Sequence, residues 1–193
     1  MGIDIVFPAT EPSLLGYDQG NGSEERPMAD AKSLYDQDFV AWTEQQADAL
    51  RSAGRGRTNQ PLDWENLAEE IESLGKSDRR DLRSQIYRIV RHLAKLQFSP
   101  AIDPRGGWRE SIDDARKQAE LVLADSPSLK PELDRIVVEE TLSAIGRAIS
   151  DLGEHGEINR AAERNLRRAR YTADQVLGDW FPPNPKDVSG RRD

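Results

Sequence analysis

No cysteine occurs in the 193 residues, which removes disulfide scaffolds, thiolate catalysis and cysteine-based zinc sites together. Histidine is nearly as scarce, at two positions, His92 and His155. No apolar run approaches the 18 residues of a membrane span, no basic-then-apolar leader opens the chain, and mean hydropathy is −0.75. These absences predict a cytoplasmic chain with no membrane contact. Gly-rich phosphate loops, HExxH pairs, serine elbows and readable nucleophile–histidine spacings are missing too, so there is no positive argument for catalysis and none for a cofactor. What is abundant is charge. Asp, Glu, Lys and Arg make up 32% of residues, and the net charge of −8 argues against a generic nucleic-acid coat.

The periodicity from Ser33 onward is helical, with no alternating strand. It predicts an all-α, single-domain bundle of about five main helices plus short C-terminal ones, spanning residues 31–182. An acidic, disordered arm (1–30) precedes it and a loose Pro- and Gly-marked tail (183–193) follows. Met28, just before the first periodic segment, offers an alternative start. A first helix over 33–53 gathers Tyr35, Phe39, Trp42, Gln46, Ala49 and Leu50 on one stripe. Asp63 caps a second, with Trp64, Leu67, Ala68, Ile71 and Leu74, which Gly75 is expected to stop. Ser77 then caps a third, running to Ser99-Pro100, and the short Gly75-Lys76-Ser77 link predicts an αα-hairpin. Gly106-Gly107 reads as a connection before a fourth helix from Trp108 to Leu123. A fifth, over 131–152, is apolar round more than half its circumference and is expected at the centre. Ile158 to Arg170 reads as a basic helix, and Thr172 with Gln175 as a capping box.

Charge reverses across the expected hairpin. Segment 63–74 holds five acids and no base, whereas 76–97 holds seven bases and two acids. Mutual neutralisation by ion pairs is the plain expectation. Two others compete with it. Glu65, Glu69 and Glu72 share a face and, with His92, form a candidate set for a metal-dependent hydrolase or nuclease, although the Glu-x-x-His pairing of di-iron bundles is absent. Alternatively, Arg80, Arg83, Tyr87, Arg88, Arg91 and Lys95 form a candidate interaction face for a nucleic acid or an acidic protein.

Several blocks resemble a known family. Tyr35 to Trp42, Leu62 to Gly75, Arg91-His92-Leu93-Ala94-Lys95, Trp108-Arg109, Asp125 to Leu129 and the closing Tyr171-Thr172 with Trp180-Phe181-Pro182 are similar to the bacterial domain of unknown function family 29. The resemblance implies an all-helical bundle of bacterial origin and carries over no activity and no catalytic residue. The functional expectation is therefore a non-enzymatic interaction or regulatory module that self-associates or binds a protein partner.

Overall fold

A computed structural model describes residues 28–56 and 60–183, and among them there are seven α-helices, one 3-10 segment and no strand. Most of the expected acidic arm (1–27) and of the tail (184–193) lies outside the described residues, but Met28 to Asp30 already belong to the first helix.

That first helix, α1 (Met28–Gln37), ends where a single long one was expected to continue. Asp38 is extended (φ −157°, ψ 92°) and caps α2 (Phe39–Arg55) by accepting a hydrogen bond from the Ala41 N–H. The same carboxylate accepts from the backbone N–H and hydroxyl of Ser128, so the break fastens the start of α2 to a distant turn. The buried face of α2 is Val40, Thr43 and Ala47, shifted from the predicted stripe, of which Tyr35 and Ala49 are exposed.

The expected hairpin does not form. Asp63 caps a single helix, α3 (Trp64–Phe98), that runs straight through Gly75 and Ser77 for 35 residues, roughly 50 Å. Gly75 is fully inside it, against Thr43 of α2. The helix ends at Ser99 before Pro100, as the sequence indicates.

The central helix is α3, not the fifth. α2 runs antiparallel to its N-terminal half, with Thr43 at Gly75 and Gly54 at Trp64. The C-terminal half is flanked by α4 (Arg105–Asp125) and α5 (Leu133–Glu154). α4 is antiparallel to α3 and already includes Gly106 and Gly107. Its far end passes through Ser126 into a 3-10 segment, Pro127–Glu132. Leu82, Ile86, Ile89, Val90 and Leu93 of α3 meet Ile112 and Ala119 of α4 and Ile136 and Val137 of α5 in the main core. The wide apolar arc of α5 is not fully used, since Val138 and Leu142 are 59% and 64% exposed. Two short helices follow, α6 (Arg160–Arg167), which stops before Arg170, and α7 (Ala173–Leu177), started by the expected Thr172 and Gln175 capping box.

Because α4, α5 and the 3-10 segment cover only the C-terminal half of α3, its first four turns and α2 form a two-helix arm.

Candidate interaction surface

On one side of the arm, ionic groups interlock. Arg51 of α2 reaches Glu72 at 2.7 Å and Glu65 at 3.3 Å, and Lys76 meets Glu72 at 3.1 Å. The hydrogen bond from Arg51 holds the Glu72 carboxyl below its ordinary range. Further along α3, Arg79 joins Glu44 and Glu132, and Arg83 lies 2.6 Å from both Glu139 and Glu140 of α5. The two stretches of α3 meet each other only where Lys76 joins Glu72 among the described residues; the other pairs run to α2, the 3-10 segment and α5.

The candidate hydrolase set is not brought together. Glu72 and His92 are twenty residues apart on one continuous helix, about 30 Å, and Glu69 points to solvent without an ion pair among the described residues. Among those residues no three His, Asp or Glu side chains gather as metal ligands. His92 is half-buried, its Nδ1 has no hydrogen-bond partner, and burial with the nearby charges of Lys95 and Arg91 pushes its pKa down to about 4.

The candidate basic face is divided as well. Arg80 and Arg88 are exposed, but Tyr87 packs against the core, Arg83 is paired, and Arg91 and Lys95 turn inward to Asp151 of α5. Lys95 is only 9% exposed; its ammonium sits 2.7 Å from Asp151 and 5.8 Å from the centre of the Trp108 ring. Burial alone would raise the Asp151 carboxyl, yet hydrogen bonds from Lys95 and Arg91 outweigh it and hold it low. Sequence reasoning missed Asp151, an acid on the buried face of α5 between Ala148 and Leu152. A cleft of about 220 Å³ opens beside this cluster, but its ionic groups already have partners, Asp151 on Lys95 and Glu157 on the Ser99 hydroxyl.

The other side of the arm is apolar. The Arg51 to Glu72 pairing and the 100° step per residue fix which residues lie opposite it: Trp42, Gln46 and Leu50 of α2 beside Leu67, Ile71 and Leu74 of α3. Leu67 and Leu74 are 41% and 47% exposed. Tyr35 extends the surface from α1, edge-on to Trp42 with ring centres 4.8 Å apart, and Phe39 stacks beside them. The stripe read from the sequence is therefore not a buried one: Tyr35 and Ala49 are exposed, and Phe39, Trp42, Gln46 and Leu50 are half-buried. Single exposed apolar residues are ordinary; a row shared by two adjoining helices is a candidate contact surface.

A family model described as Domain of unknown function DUF29 matches residues 34–181. The chain belongs to this family. A crystal structure of an alpha-helical protein of unknown function from Rhodospirillum rubrum is similar to it at 28% identity and a TM-score of 0.60, covering 82% of this chain and 98% of that one. No curated protein matches. In this DUF29 domain the blocks that carry the resemblance hold the fold together. Leu62 to Gly75 builds the arm, Arg91 and Lys95 meet Asp151, and Tyr171 donates its hydroxyl to Gln97.

Proposed function

We propose that this DUF29 domain is a non-enzymatic protein-interaction module of the bacterial cytoplasm, and that it binds through the apolar side of the α2–α3 arm. The observation that carries this reading is the exposure of Leu67 and Leu74, with Tyr35 beyond them, on a two-helix projection whose opposite side carries the Arg51 ion pairs to Glu65 and Glu72. Nothing favours an enzyme, because Glu65 and Glu72 are engaged by Arg51, Glu69 points to solvent, and all three lie far from His92.

The absence of cysteine makes the test clean. A single cysteine at Leu74, carrying a photo-crosslinker, should give a discrete protein adduct in its native cytosol that is lost with Leu67→Asp. The same probe at the exposed Ser84 should give none. Equal labelling at both positions, or no adduct at Leu74, would remove the reading.

A further inference from the structure

We propose that the partner element docking on the apolar side of the α2–α3 arm is a basic amphipathic helix of another protein. This rests on the interaction-module reading and adds the chemistry of the occupant.

Shape comes first. The uncovered surface follows two antiparallel helices over residues 39–55 and 64–78, about 22 Å of helix axis. The shallow groove between them has the form that a third helix fills in helix-in-groove recognition, with anchors spaced i, i+3, i+4 and i+7.

Charge selects the helix. Residues 33–77 carry nine acids against four bases. Of those bases, Arg51 and Lys76 are engaged on the opposite side by Glu65 and Glu72. Along the α3 edge of the apolar row, Asp63, Glu70 and Asp81 recur within about 20° of one another at the helical step, and among the described residues none of the three makes an ion pair. At the base of the arm the Asp78 carboxyl is raised, first by burial and then by the charges of Asp81 and Asp125, against the lowering hydrogen bond of Ser126. Like charges thus accumulate on this edge, and between Asp63 and Asp81 the described residues place no cation on it.

The other occupants meet repulsion. A second copy on a two-fold axis would bring the same acids against each other. Residues 1–27 of the chain itself hold five acids and one base.

The test uses the full chain and three labelled helical peptides of about 18 residues that share one leucine face and carry Lys, Gln or Glu on the polar face. By fluorescence anisotropy the Lys peptide should bind about tenfold tighter than the Gln peptide, with the Glu peptide weakest and the preference shrinking at high salt. Leu67→Asp with Leu74→Asp should abolish binding while far-UV circular dichroism and Tm stay unchanged. Glu70→Lys with Asp81→Lys should reverse the order of the Lys and Glu peptides. Val138→Asp on α5 should change nothing. Equal binding of all three peptides, binding that survives the leucine changes, or no binding by any of them would overturn the basic-helix proposal. A dimer in sedimentation that Leu74→Asp dissociates would also overturn it, yet would leave the interaction module standing. Loss of the module itself is read separately, from the cross-link at Leu74.

Discussion

The Thr43 hydroxyl occupies the space that a side chain at position 75 would need: a Cβ built on Gly75 falls 2.3 Å from Thr43 Oγ1. Thr43 is buried, and its hydroxyl donates to the Val40 carbonyl at 2.7 Å, so it has little freedom to turn away. The glycine is a notch that lets α2 and α3 approach.

Gly75→Ala separates the two meanings of that glycine. In an open helix the change would stabilise by about 1 kcal/mol. Here it should destabilise by about 1–3 kcal/mol, as overpacking does. Adding Thr43→Ala should recover most of the loss, a non-additivity read from urea unfolding of the four proteins.

Asp151→Asn leaves Lys95 almost buried beside Arg91 with no countercharge. Breaking such a pair should cost about 3 kcal/mol at neutral pH. The Asp151 carboxyl is depressed in the folded state, so its contribution is complete above the unfolded value of about 3.9 and is lost as pH falls through the folded value. Unfolding free energies at neutral pH and at about pH 3 should therefore differ less in the variant than in the parent.

His92 sets a second pH dependence in a different window. Its folded pKa of about 4 lies below the ordinary histidine value of 6.5, so the unfolded chain binds the extra proton between those values. Stability should be complete above pH 6.5 and should decline towards pH 4. His92→Phe should flatten that segment of the curve, and the His92 ring signals should titrate near pH 4 in the native protein.

Arg116 is the fastening of the C-terminal segment. Its guanidinium donates to the carbonyls of Gln175, Val176 and Trp180 and lies 4.8 Å from the Phe181 ring centre, with Arg109 at 4.4 Å. Arg116→Ala should cost about 2–3 kcal/mol. Amide hydrogen exchange should rise over residues 171–182 while the core of α3 stays protected.

Local signals were legible wherever the physics is local. Asp63 as a cap, Ser99-Pro100 as a stop and the Thr172 and Gln175 box are each decided within a few residues, and all three stand. Gly75 misled because low helix propensity and close packing select the same residue, and the decisive neighbour lies 32 positions away. Asp38 misled in the opposite sense: it sits in a continuous helical pattern, but Ser128 draws its carboxylate out of line. Of the candidate site residues, Glu65, Glu72, Arg83, Arg91 and Lys95 were singled out by charge alone, and their partners Arg51, Glu139, Glu140 and Asp151 needed the coordinates.

By itself the sequence determined the helical class, those helix ends set by a local cap or proline, and which arcs of each helix are apolar, because these follow from backbone chemistry and a fixed angular step. Tertiary structure alone decided which of those arcs are covered. The apolar stripes of α2 and of the first turns of α3 extend past the reach of α4 and α5, whose own lengths and docking end beside Asp78. Burial depends on where neighbouring helices stop, and no periodicity within one helix carries that information.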